Sequence, residues 1–223
     1  MYCVEIYSVE MYQVATYSVE DSYFTVRYSA AELFHFGEFT LYFTHMTVNE
    51  NTELRLLELN HAQQLFDLVH QNRQHLRQWL PWLDVNTGVR DSFDFIQSTQ
   101  KQFADKQSLV MGIWHKGDLV GVIGHNRIDW SSRIAYPGYW LSSSAMGQGT
   151  MTACCKTLIN HAFSELGLNR IDIRCAIGNH KSCAIPKRLG FTHEGVIRQA
   201  EWLYDRFVDH NIFSLLACDW KHD

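Results

Sequence analysis

The hydrophobic pattern changes period along the chain, and each change marks an element. Over residues 1–20, MYCVEIYSVEMYQVATYSVE alternates apolar and polar positions with a period of two, as strands do. TELRLL at 52–57 alternates the same way. A helix follows, with apolar positions Ala62, Leu65, Phe66, Leu68 and Val69 and Asn60 as its expected N-cap. Pro81 interrupts HLRQWLPWL, and Asp91 is placed to cap a second helix running to about 105. Two strands at 109–115 and 119–127 flank Lys116-Gly117-Asp118, the signature of a hairpin. A strand at 134–141 leads into a helix at 150–166, whose apolar residues recur every three or four positions up to Gly167. The remaining pattern predicts a strand at 170–176, a short helix at 179–189 closed by Gly190, and strands at 192–199 and 207–218. The expected fold class is therefore α/β in the α+β sense: a central mixed sheet with helices on both faces.

Charge divides the chain where periodicity alone does not. The first 45 residues hold six acidic residues, the single basic residue Arg27 and seven of the ten tyrosines, which leaves 18 charges of each sign over 46–223. YSVE occurs at Tyr7–Glu10 and again at Tyr17–Glu20, too few copies for a solenoid. We expect 1–45 to be an atypical acidic extension, poorly ordered or translated ahead of a natural start at Met46, with a partner-binding arm as the sharper alternative. The functional domain is expected at 46–223. The net charge of −5 gives no reason to expect nucleic acid or an anionic membrane as partner. No apolar run approaches the roughly 18 residues of a membrane span. The six cysteines (Cys3, Cys154, Cys155, Cys175, Cys183 and Cys218) form no regular framework and read as buried thiols in a reducing cytoplasm. The scattered histidines give no metal motif, so no metal site is expected.

Chemistry first shows in YWLSSSAMGQGTMT, where a strand meets a helix through Gly147 and Gly149. GQGTMT lacks the third glycine of a dinucleotide fingerprint, and the next strand ends in Ala176 rather than in an acidic ribose ligand. Free N–H groups around Met146, Gly147, Gln148, Gly149 and Thr150, at the positive end of a helix, still suit a pyrophosphate. A plain structural turn is the alternative.

GYWLSSSAMGQGTMT, LNRIDIRCAIGNHKSCAIPKRLGF, EGVIRQAEWL and DHNIFSLL, in this order, resemble the GNAT acetyltransferases. Together with ELRLLELNHAQQLFDLVHQNRQHLRQWLPWLD they resemble the ribosomal-protein-serine N-acetyltransferase (RimL-like) branch. Ser144 stands where the family's pyrophosphate loop usually has Gln or Arg, which removes a side-chain contact but leaves the backbone cradle. The resemblance implies acetyl-CoA held between two splayed strands. Trp140, Leu141 and Ser142 would pair with its pantetheine arm, the loop 146–150 would hold its pyrophosphate, and Asn179 would add a polar contact. It also implies catalytic roles for Ser182, as proton donor to the leaving thiolate, and for Glu201, as base toward the acceptor amine. The alternatives are an N-cap for Asn179, a first-turn capping support for Ser182 and a solvated strand carboxylate for Glu201. Pro186 cannot bond to the carbonyl of residue 182, so a bend or a water is expected beside Ser182. Trp79, Trp82, Trp130, Tyr136 and Trp202 are candidate walls of an acceptor cleft. The implied acceptor is a protein N-terminus, with a small amine or a non-catalytic CoA-binding module as alternatives. A homodimer stays open.

Overall fold

The computed structural model describes residues 5–9, 12–19, 22–29 and 45–221, which fall into two units divided between Thr44 and His45. In the first, β1 (Glu5–Val9), β2 (Tyr12–Val19) and β3 (Ser22–Ser29) form an antiparallel meander, so the period-two segment is indeed strand. Cys3 and the expectations placed on residues 30–44 lie outside the described residues.

The second unit opens with β4 (His45–Asn49) and β5 (Thr52–Leu56). Then come α1 (Ala62–Gln71), the short α2 (Arg73–Leu76) and α3 (Val89–Ala104). The sheet resumes with β6 (Leu109–His115), β7 (Asp118–Asp129) and β8 (Ile134–Leu141). It continues through α4 (Thr150–Ser164), β9 (Arg170–Ala176), α5 (His180–Arg188), β10 (Thr192–Leu203) and β11 (Arg206–Leu216). The eight strands lie in the order β10-β11-β9-β8-β7-β6-β5-β4, antiparallel throughout except between β8 and β9.

Local chemistry sets the element ends, sometimes differently from expectation. Asn60 does not cap α1. A 3-10 turn at Leu59–His61 precedes it, with His61 Nδ1 accepting the Glu58 N–H at 3.0 Å. Asp91 acts from inside α3 rather than ahead of it, accepting the N–H groups of Thr87 (2.7 Å) and Gly88 (2.9 Å), so the helix begins two residues earlier. β10 runs beyond Gln199 because a bulge absorbs residues 198–200: Ile197 pairs with His210 and Glu201 with Val208. Gln199 takes a positive φ of 49° there, and its N–H is held by Asp209 Oδ1 at 2.7 Å.

Strand alternation sends Val110, Trp114, Leu119 and Val122 to one face of the sheet, where they pack with Leu65, Val69, Leu83 and Ile96 beneath α1 and α3. α4 covers the other face and buries Cys154, Cys155, Leu158, Ile159 and Ala162. Truncating one of these buried aliphatics to Ala costs about 2–5 kcal/mol, so the two layers hold the sheet rigid beneath the site. Cys218 departs from the buried-thiol reading. It is exposed in the 3-10 turn after β11, whereas Cys154, Cys155, Cys175 and Cys183 are free and buried.

Candidate active site

β8 and β9 pair only at Ile134↔Arg170 and Ala135↔Ile171. Beyond these rungs residues 136–141 keep one backbone edge without a β9 partner. Pro137 lies just past the last rung, where a residue lacking an N–H removes no ladder bond. The other edge pairs with β7, and the Ser142 N–H donates to the Val120 carbonyl at 2.8 Å. Antiparallel pairing alternates, so Trp140, opposite Val122, also faces β7. The amides of Tyr139 and Leu141 therefore point into the gap, where an extended ligand can add as a strand. Of the three residues expected to pair with such a ligand, Trp140 and Ser142 turn their N–H groups to β7, which leaves Leu141.

A side-chain network pins the closed end of the gap. Arg170 Nε reaches Asp172 Oδ1 at 2.5 Å, and its terminal nitrogens grip Glu194 at 2.9 and 2.7 Å. Glu194 also accepts the Ser214 hydroxyl at 2.6 Å. These donors hold its carboxyl down at about 2, the Arg170 bonds contributing most.

At the open end β8 runs into a 3-10 turn, Ser143–Ala145, and then the glycine pair. Asn72, buried at the α1–α2 junction, accepts both the N–H (2.9 Å) and the hydroxyl (3.0 Å) of Ser143 and so clamps the loop. Gly147 and Gly149 have φ of 77° and 80°. A Cβ added at either would meet no atom within 4 Å. The requirement for glycine is thus the left-handed backbone together with open space that a ligand can fill. Gly149 is the N-cap of α4 and supplies no side-chain acceptor, which leaves first-turn amides turned outward. Any contact this loop makes through Gly147 and Gly149 is made by the backbone alone.

α5 brings the second set of groups. Asn179 Oδ1 accepts the Ser182 N–H at 3.1 Å, an N-cap that fixes the first turn. The Ser182 carbonyl, which Pro186 cannot bond, accepts the Tyr139 phenol at 3.3 Å, and the Ser182 hydroxyl lies 3.4 Å from the same phenol oxygen. The Tyr139 phenol thus bonds the carbonyl that Pro186 leaves free, a tie across the gap. Burial keeps the Tyr139 phenol protonated far above its usual range, so Tyr139 serves as a donor. Behind Ser182, Cys175 Sγ lies 2.9 Å from Cys183 Sγ, and burial pushes the Cys175 thiol up.

These elements enclose a cleft of about 1200 Å³ beneath α1 and α3. It brings together Trp140, Asn179, Ser182 and Glu201 from the expected set, with Tyr139, Trp79, Trp82 and Tyr136 in its walls. Glu201 Oε2 lies 3.3 Å from His210 Nε2, within ion-pair range though without hydrogen-bond alignment. Leu141 and Ser142 are buried beside the cleft rather than lining it. Gln148, Gly149 and Thr150 open instead onto a smaller depression of about 400 Å³, shared with the β4–β5 turn. Two expected wall residues do not reach the cleft. Trp130 donates its indole N–H to the Lys106 carbonyl at 2.6 Å, and Trp202 packs edge-on to Phe207. Both side chains are exposed, Trp130 in the turn that follows β7 and Trp202 on β10, where each meets a local neighbour instead. Sequence reading had not found Asn72, the Tyr139 hydroxyl, His210, Arg127 or Arg174, all of which join the site only through long-range pairing.

The sequence pattern that defines the "Acetyltransferase (GNAT) domain" family matches residues 51–192. The chain is 38% identical over 176 residues to YdaF of Bacillus subtilis (strain 168), a protein named for an inferred ribosomal N-acetyltransferase activity; the match spans 78% of this chain and 96% of that one. It is 32% identical over 167 residues to the ribosomal-protein-serine acetyltransferase of Escherichia coli (strain K12), across 75% and 93% of the two chains. A solved structure of RimL, a ribosomal L7/L12 alpha-N-protein acetyltransferase in complex with coenzyme A, superposes with a TM-score of 0.75 at 29% identity, covering 77% of this chain and 97% of that one. A sheet that opens between β8 and β9, a left-handed glycine pair at the start of α4 and these matches lead to one conclusion: this chain belongs to the GNAT family of N-acetyltransferases and uses acetyl-CoA as its acetyl donor.

Proposed function

We propose that the protein acetylates the N-terminal α-amine of a protein, with a ribosomal protein as the acceptor class, and that residues 46–223 suffice for the chemistry. The observation that carries this reading is the convergence of Ser182, Glu201 and the unpaired edge of β8 on one cleft that opens beneath α1 and α3. The names of the 38% and 32% identical relatives support the acceptor class. Four free buried thiols support a cytoplasmic setting.

Acetyl-CoA supplies an activated thioester carbonyl; the protein's part is to place it and to move protons. The loop Met146–Thr150 holds the phosphates, and the amides of Tyr139 and Leu141 hold the extended arm. One of those amides donates to the carbonyl oxygen as charge builds on it. Ser182, fixed by Asn179 and Tyr139, passes its hydroxyl proton to the departing sulfur and takes another from water in the open cleft as it does so. Glu201 takes a proton from the acceptor amine through a water, and an α-amine with a reference pKa near 8 needs only modest help. The test is intact-mass analysis of purified ribosomal proteins incubated with the enzyme and acetyl-CoA. We expect one acetyl group at the N-terminus of one or a few of them. Acetylation confined to small amines, or CoA binding without any acetyl transfer, would refute it.

A further inference from the structure

The cleft holds more charge than the proposed chemistry uses. Four carboxylates reach it, and each already has a partner. Asp91 accepts the Thr87 and Gly88 amides, Asp94 faces Arg90 at 2.9 Å, Asp172 binds Arg170, and Glu201 lies beside His210. Two guanidiniums line the same cleft, those of Arg127 and Arg174, and among the described residues neither makes an ion pair or a hydrogen bond. Both lie over the ring of Tyr136 instead, at 4.1 and 5.9 Å from its centroid.

The backbone builds this arrangement. In β7 the pairing steps from His125↔Pro137 to Arg127↔Tyr136, so Asn126 is the extra residue of a bulge that puts Arg127 opposite Tyr136. On β9, alternation puts Arg174 on the same face as Asp172, which also lines the cleft. Two like charges gathered on one ring repel, and the ring face offsets only part of that. An anion between them relieves it.

We propose that Arg127 and Arg174 form an anion subsite for the acceptor, so that the enzyme prefers N-termini bearing a carboxylate or phosphate on the second or third residue. This rests on the N-terminal acetylation reading and on the acceptor amine lying at Glu201. Glu201 lies against His210, which pairs with Ala176, and Arg174 is two residues along β9 from that pair. Two strand steps span about 7 Å, the reach of one or two residues of an extended acceptor. The plain alternative is a pair of solvated arginines packed on a tyrosine.

The probes are synthetic peptides beginning Ser-Ala-Ala, Ser-Glu-Ala, Ser-Ala-Glu and Ser-Lys-Ala, with a phosphoserine version of the third. Free-thiol release gives kcat and KM for each, and calorimetric titration into the enzyme–CoA complex reads binding without turnover. We expect an acidic second or third residue to improve kcat/KM about tenfold or more, through KM, and the lysine peptide to be poorest. The larger gain, with glutamate or with phosphoserine, identifies the natural anion. The combined R127Q and R174Q substitutions should bring the acidic peptides down to the neutral one. In the unaltered protein, raising salt from about 50 mM to about 500 mM should narrow the same gap. If acidic, neutral and basic peptides are acetylated within twofold of one another, the subsite is refuted while N-terminal acetylation stands. If they bind in the predicted order without being acetylated, the subsite stands and the acetylation reading falls. If no peptide binds or reacts, both fall.

Discussion

Replacing Gly149 with Val separates the demand of the backbone from the demand of the ligand. Gly149 sits at φ 80° with no atom near its missing Cβ. In the protein alone, Val is therefore opposed by the left-handed backbone and by little else, at about 2 kcal/mol. For a domain of this size that lowers Tm by about 4–8 °C and leaves the fold in place. Binding should suffer more. A branched side chain at the α4 N-terminus occupies the space where phosphate oxygens meet outward amides. Losing two charge-assisted hydrogen bonds, at about 1.5 kcal/mol each, weakens acetyl-CoA binding by roughly 100-fold. Isothermal titration gives that loss directly, and S-acetylpantetheine, which lacks the pyrophosphate, supplies the control. The variant and its parent should use S-acetylpantetheine with similar KM, and Gly149→Ala should show part of the strain with less of the binding loss. Acetyl-CoA affinity within twofold of the parent in Gly149→Val would sink the cradle, as would an equal deficit with both thioesters.

Ser182→Ala should lower kcat at every pH while leaving acetyl-CoA affinity nearly intact, at the low end of the 100- to 10,000-fold range or below it, since CoA thiolate is a tolerable leaving group. The deficit of Glu201→Gln should shrink from pH 6 to 9 as the acceptor amine arrives already deprotonated; a constant deficit would mean a binding role instead. His125 and His161 are buried between the sheet and α4, and burial lowers their pKa values to about 3 and about 4, with the His161 charge a further cause at His125. The unfolded chain binds these protons near pH 6.5 and the folded one resists them, so this contribution to stability is complete above pH 6.5 and fades toward pH 4, by up to about 1.4 kcal/mol per pH unit for each histidine. Urea unfolding of His125→Leu should therefore be less acid-sensitive than the parent between pH 6.5 and 5, and parallel pH curves would refute this. A chain beginning at Met46 should fold and bind acetyl-CoA with parental affinity by titration; insoluble protein would show that the residues before it contribute to the domain.

Much of the fold was legible because short-range rules dominate it. The bounds of β8 and β9 follow from their alternation, and the Asn179 cap and the Gly190 stop of α5 follow from residue chemistry. What escaped depends on partners distant in sequence. Nothing local distinguishes Asn72 from any helix-end asparagine until Ser143, 71 residues away, supplies its donors. The bulges at Asn126 and at 198–200 shift register without a glycine to announce them. Trp130 and Trp202 were plausible cleft walls because an indole suits both interior and surface; the turn after β7 and the outer face of β10 decide against them. The site loop was readable because glycines at positive φ are required of the sequence itself. The cluster of Arg127, Tyr136 and Arg174 was less so, since three strands bring it together.

The joint between β8 and β9 has a consequence for turnover. The sheet is two antiparallel leaves, β4 to β8 and β9 to β11, whose backbones are stitched together by two rungs. A ligand strand paired with the free edge of β8 would supply further rungs and so serve as scaffold as well as reagent. Such rungs would have to break again before the ligand could leave. A seam of two rungs thus leaves the strength of the joint between the leaves to whatever fills the gap.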